Sequence, residues 1–211
     1  LFAERIGISK ADSWIDMSIL EDCLREDLNE HAPRRVAILR PLKLIIDNYP
    51  EGQQEDCFAP NHPQKPEWGR RTIPFSKELY IERDDFMEVP AKGYFRLSPG
   101  AEVRLRYAFI VKCVHIEKNA DGSIEAIHCT YDPDTKSGTP GADSRKVKGN
   151  IHWLSAHHAH PAEVRLYDRL FTDPHPDSGD KDYKTSLNPD SKQIITAYVE
   201  AALCDAESEQ S

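Results

Sequence analysis

The side chains best suited to chemistry in this 211-residue chain are basic: Lys92, Arg96, Arg104 and Arg106, opposed between positions 90 and 106 by Glu102 alone. The alternation Val103-Arg104-Leu105-Arg106-Tyr107 predicts both guanidinium groups on one face of a strand. Arg96 precedes them across Ser98-Pro99-Gly100, a predicted tight turn, and Arg34 and Arg35 stand where a helix gives way to a strand. A guanidinium is a rigid fork of donors that suits phosphates and the edges of unpaired bases. The same arginines on an edge strand would simply keep it soluble, and the residues alone leave these two readings level.

The histidines His152, His157, His158, His160 and His175 are close in sequence. A metal centre needs converging ligands held by further partners. Neighbouring strand residues point to opposite faces, so His157 and His158 read as a polar corner and no metal is expected. Glu82, Asp84 and Asp85 read as the solvated end of a charged strand, not as a catalytic acid pair. No nucleophile elbow, phosphate loop, dinucleotide fingerprint or zinc-helix motif occurs. No catalytic residue is assigned, which points to a binding module.

Composition sets the frame. Hydrophobic content of 39% and charged content of 30% suit a globular chain with room for one large or two small cores. No run of 18 apolar residues occurs, so no membrane partner is expected. Five widely spaced cysteines without CxxC spacing read as free thiols, consistent with a cytoplasmic protein. The net charge of −9 argues against nucleic acid when taken whole. Its distribution softens that objection, because the acid lies in residues 78–85, 173–182 and 200–209, away from the basic stretch.

These side chains must be positioned by mostly β elements. A short helix is predicted over residues 1–5, ending near Gly7. A longer one starts at a Ser18–Glu21 capping box and ends before Pro33. Strands are predicted over 36–46 (broken by Pro41), 73–81, 101–116, 123–131 and 151–154, with Asn119-Ala120-Asp121-Gly122 as a hairpin turn using positive φ at Asp-Gly. Residues 172–184 read as a loop, and 194–202 as a last strand or short helix. Many short strands, 15 prolines and no βαβ rhythm predict a mainly β chain: a helical connector followed by two antiparallel β-barrels, the second incomplete.

Several ordered blocks carry a resemblance. They are Leu20-Glu21-Asp22-Cys23-Leu24-Arg25-Glu26-Asp27-Leu28-Asn29, Pro60-Asn61-His62-Pro63, Lys65-Pro66-Glu67, Glu102-Val103-Arg104-Leu105-Arg106 and, most specific, Val147-Lys148-Gly149-Asn150-Ile151-His152-Trp153 running on to Leu166-Tyr167-Asp168-Arg169-Leu170-Phe171. Over nearly its whole length the chain resembles the C-terminal, anticodon-binding region of bacterial glutaminyl-tRNA synthetases, which are class I aminoacyl-tRNA synthetases. The resemblance implies a helical connector (1–33), a proximal anticodon-binding barrel (34–160) and part of a distal barrel (161–211). The implied partner is the anticodon stem-loop of tRNA(Gln), bound by a monomer.

Carried over by position, Arg34 corresponds to a reader of the middle anticodon base. Lys92 and Arg96 fall at the third base, Arg104 and Arg106 at the first base and its phosphate, and Lys10 and Asn29 at the stem and loop. Gly93 and Phe95 depart from the polar or basic residues of some members. ATP, with Mg, is expected only in a catalytic domain outside this chain, and a segment beyond Ser211 is expected to complete the middle-base pocket. The alternative is a stand-alone β-barrel that binds protein.

Overall fold

In Pro41–Ile46 every second side chain, Leu42, Leu44 and Ile46, is buried, while those between are half-exposed. This is a strand with one dry face, and the pattern recurs along the chain. A computed structural model describes residues 1–10, 14–142 and 144–206. Among them are two helices, α1 (Phe2–Ile6) and α2 (Met17–His31), and twelve strands. The strands are β1 (Ala37–Ile38), β2 (Pro41–Ile46), β3 (Glu55–Pro60), β4 (Arg70–Phe75), β5 (Glu78–Glu82), β6 (Glu102–Leu105), β7 (Ile110–Lys118), β8 (Ile124–Asp132), β9 (Gly149–Ile151), β10 (Leu154–Ser155), β11 (His160–Tyr167) and β12 (Lys192–Val199).

The chain is mainly β, as expected, and its largest element is a curled half-barrel of seven strands in the order β10-β5-β2-β8-β7-β6-β9. Its β2–β8 and β6–β9 ladders are parallel and its other four are antiparallel. Parallel neighbours need long crossovers. The ribbon β3–β4 lies within one such crossover, and the 133–148 loop within the other. The remaining three strands form a small antiparallel sheet, β1-β12-β11, in which the short β1 from early in the chain pairs with the last strand.

Several boundaries differ from expectation. Helix α2 begins earlier than the Ser18 box implied: Asp16 is the N-cap, its Oδ1 accepting from the Ser18 N–H at 2.8 Å. A carboxylate is the better partner for the positive end of a helix. The helix ends where Pro33 predicts, with Ala32 extended. Of its apolar face only Cys23 is buried, and Leu24 and Leu28 stay exposed. The 73–81 strand is broken at Ser76-Lys77, and the 101–116 strand at a tight turn where Tyr107 takes φ 64°. The 119–122 hairpin turn forms, but only Gly122 adopts positive φ there, and the Asp121 side chain accepts from the Ser123 N–H at 2.9 Å.

The main core is aromatic. Phe75 meets Tyr49, Phe109 and Trp153 with ring centroids 5.0–5.2 Å apart, edge-on to Tyr49 and Trp153 and tilted to Phe109. The Trp153 indole N–H is satisfied by the Arg106 carbonyl at 2.8 Å. A smaller cluster of Val36, Ile38 and Leu154, with Tyr80 stacked on Tyr198 at 4.3 Å, lies under the small sheet. Because Phe75 joins so many rings, Phe75→Ala should cost about 3–5 kcal/mol of stability in urea unfolding. A loss below about 1 kcal/mol would show that the rings close over the gap.

Candidate nucleic-acid interface

The residues 86–97 form a loop tied down at both ends. Met87 N–H donates to Leu97 O at 3.1 Å and Leu97 N–H to Asp85 O at 3.0 Å, with the Leu97 side chain buried. This fixes the backbone of Arg96 while leaving Lys92 and Arg96 exposed. Arg96 pairs with Asp85, which is buried and not solvated as its sequence neighbourhood suggested. Burial pushes the Asp85 carboxyl up, against the pull of Arg96. Glu82 is also structural: its carboxylate accepts the N–H groups of Leu39 and Arg40, both at 2.8 Å.

Arg104 and Arg106 diverge instead of sharing a face. Strand β6 ends at Leu105, and the Tyr107 turn re-aims the chain. The guanidinium of Arg104 donates to the carbonyls of Thr135 at 2.7 Å and Ala142 at 2.9 Å, and to Ser137 Oγ at 3.3 Å. It thereby holds the 133–145 loop against the sheet. Arg106 stays exposed, with Nη1 3.0 Å from His152 Nε2. The acceptor role falls to His152 Nε2, since arginine has no lone pair to offer. His152 keeps part of its ring in solvent, yet its neighbours crowd it. Burial first, then the positive field of Arg106, Arg96 and Arg71, pushes its pKa down. Strand alternation explains its place, with Ile151 and Trp153 pointing inward on either side.

Arg96, His152, Arg35, Glu82 and Asp85 line a cleft of about 390 Å³, bounded by residues 36–38. Beside it, Lys148 Nζ lies 4.8 Å from the centre of the exposed Phe95 ring. Close packing makes this possible: a Cβ at Gly149 would come within 2.3 Å of the Phe95 carbonyl, so only glycine lets the loop settle on β9. Phe95, Lys148 and His152 were not assigned roles from sequence. The signals were the unusual Phe95 and the Lys-Gly pair, which acquire meaning only when the loop and β9 are adjacent.

Of the remaining predicted residues, Arg34 and Asn29 meet at the end of α2. Arg34 caps the C-terminus of α2, donating to Leu28 O at 3.1 Å, Asn29 O at 3.0 Å and Asn29 Oδ1 at 3.1 Å. His62 Nε2 also meets Asn29 O, at 2.9 Å. Arg35 Nη1 donates to Arg34 O at 2.9 Å and its Nε lies 3.6 Å from Glu200. Lys10 is exposed on the segment after α1. The histidines of the polar corner have separate partners: His158 meets Ser155 Oγ at 2.9 Å, and His175 packs edge-on to Trp14.

These exposed cations, the accessible Phe95 ring and the partly exposed His152 imidazole lie in a sequence with well-defined relatives. Residues 32–132 and 150–211 each match a family model described as tRNA synthetases class I (E and Q), anti-codon binding domain. The chain is 69% identical over 210 residues to a glutamine–tRNA ligase of Nitrosomonas europaea, covering 100% of this chain and 38% of that protein. It is 63% identical to that of Cupriavidus metallidurans (99% and 36%) and 56% identical to that of Polynucleobacter asymbioticus (99% and 36%). The chain therefore spans less than two-fifths of these relatives. It belongs to the class I glutaminyl- and glutamyl-tRNA synthetase anticodon-binding domain family.

Proposed function

We propose that this chain reads the anticodon loop of tRNA(Gln) for a glutamine–tRNA ligase, and that it does so as a monomer in the cytoplasm. The observation that carries the reading is the exposed cluster of Arg96, Arg106 and His152 beside the Phe95–Lys148 pair. Unstacked bases need a π-face and fixed donors, and phosphates need cations. Phe95 supplies the first, Lys92, Arg96, Arg106 and Lys148 the rest. The negative charge elsewhere confines RNA to this face.

Within that reading, Arg104 serves by holding the 133–145 loop, since turning to RNA would strand three acceptors. Arg34 and Asn29 present the end of α2 to the middle of the loop, and Lys10 meets the stem. Glutamine activation with ATP and Mg belongs to the part of such ligases that these 211 residues do not match. Here the N-terminus of α2, whose N–H groups could otherwise meet a phosphate, is occupied by the Asp16 carboxylate.

Titration with the tRNA(Gln) anticodon stem-loop should show affinity that falls with salt. Arg96→Ala and Arg106→Ala should each lose about 1–3 kcal/mol of binding and relax discrimination against loops with a changed base. Equal affinity for wild-type and both variants would sink the assignment and favour a protein-binding surface.

The lowered pKa of His152 gives a second test. Below the ordinary histidine pKa of about 6.5 the unfolded chain binds a proton that the folded chain resists, so stability falls as pH drops through that window and is unaffected above it. A bound phosphate stabilises the imidazolium, so RNA affinity should rise over the same fall in pH. Ring-proton titration by NMR should place the His152 midpoint below that of free imidazole side chains, with Arg106→Ala raising it and RNA raising it further. A midpoint that RNA does not move would remove His152 from the interface.

A further inference from the structure

The pairing of β7 with β8 places Cys113 directly opposite Cys129. Both are free thiols, 1% and 0% exposed. Their backbones do not bond to each other. Cys113 N–H donates to Ala101 O at 3.1 Å and its carbonyl accepts from Gly100 N–H at 2.9 Å, while the Cys129 carbonyl accepts from Asp47 N–H at 2.9 Å. Each set of bonds points away from the other strand. Such non-bonded antiparallel positions bring Cα atoms to about 4.5 Å and place the side chains closest together. A disulfide requires Cα atoms about 4.4–6.8 Å apart. The Cys113 Sγ donates to the His115 carbonyl at 3.9 Å, and the two thiols shift each other's pKa in opposite directions. The other cysteines are placed differently: Cys57 pairs across its ribbon with Ile73, Cys23 lies on α2, and Cys204 is exposed after β12.

We propose that Cys113 and Cys129 form a reversible dithiol–disulfide site, closed by a peroxide and reopened by a thiol reductant. The Cys113 thiolate attacks one peroxide oxygen, the O–O bond breaks, and the other oxygen leaves as water, giving a sulfenic acid. The Cys129 sulfur then gives up its proton and attacks the Cys113 sulfur, breaking the S–O bond and releasing a second water. Two thiols and one hydrogen peroxide become one disulfide and two waters, the two electrons passing from sulfur to oxygen.

The surroundings assign the order. The neighbouring Cys129 thiol lowers the Cys113 pKa against the effect of burial, while that of Cys129 is raised. The register also slips between Cys113 and His115, leaving Val114 bulged and half-exposed. A bulge loosens the ladder locally and gives a small peroxide its way in. Because Cys113 carries the 100–101 turn on its backbone, the new bond would staple the strand beneath the Arg96-to-Arg106 segment. Transient redox chemistry of this kind is the usual role of a disulfide in a reducing compartment.

The test treats the reduced chain with hydrogen peroxide, caps remaining thiols with N-ethylmaleimide in denaturant, and maps tryptic peptides by mass. The expected product joins the Cys113–Lys118 peptide to the Asn119–Lys136 peptide, at their summed mass less two hydrogens, and dithiothreitol separates them. It should form faster in the folded chain than in the urea-unfolded chain. In Cys113→Ala, Cys129 should instead be recovered capped. The proposal fails if both peptides remain capped while the exposed Cys204 is oxidised, if another cysteine pair dominates, or if unfolding does not slow the link. Should Cys113→Ala fail to fold, the wild-type comparison of folded and unfolded chains decides alone.

Discussion

Glu200 places a carboxylate at the seam between the small sheet and the β3–β4 ribbon, where Arg71 Nε donates to it at 2.7 Å and Arg35 Nε stands 3.6 Å away. Its backbone N–H donates to Val36 O at 3.1 Å. The side chain is buried, and among the described residues its second oxygen has no hydrogen-bond partner. Taking a carboxylate out of water costs several kcal/mol, and only close cations with good geometry offset it. Arg71, itself nearly buried and fixed by Pro60 O at 2.9 Å, is the cation that does so. Separating the sheets would expose or strand that charge, so the seam is held by the cost of its alternatives as much as by contact area.

The candidate interface is built outward from this seam. Arg35 links Glu200 to the Arg34 carbonyl and to Asn61 Oδ1 at 3.2 Å, and Arg34 in turn caps α2. On the other side, the indole of Trp153 holds the Arg106 carbonyl, so the aromatic core sets where that guanidinium begins. Cationic side chains are long and flexible, and fixing their backbones reduces the ordering cost of meeting a ligand. The same logic separates Arg104 from Arg106. Two residues apart in sequence, one is held by the carbonyls of Thr135 and Ala142 and the other stays exposed beside His152.

Much of the fold was legible because it is local. Leu42, Leu44 and Ile46 announce a strand by alternation, Ile151 and Trp153 flank an outward His152, and Pro33 ends a helix by steric exclusion. What could not be read was non-local. Nothing around Ala37-Ile38 indicates that its partner is Tyr198-Val199. Nothing around Arg104 indicates that carbonyls of residues 135 and 142 will meet it, and the burial of Asp85 depends on a loop returning at Leu97. The basic stretch of the candidate site was visible as composition, but which of its cations stay exposed and which are held by the protein's own carbonyls was not. That division depends on the Tyr107 turn, a conformation uncommon for a residue with a side chain.

The pairing of β1 with β12 has a consequence in time. The two strands lie about 160 residues apart in the chain, and closing so long a loop carries an entropic cost that nearby contacts do not. Proteins with many such contacts fold slowly. During synthesis the half-barrel core can assemble first, since its strands all precede residue 156. Until the last strand emerges, β1 has an unpaired edge, Tyr80 lacks its stacking partner and Arg71 lacks its carboxylate. The join between the half-barrel and the small sheet therefore has to wait for β12, long after the strands of the half-barrel are available.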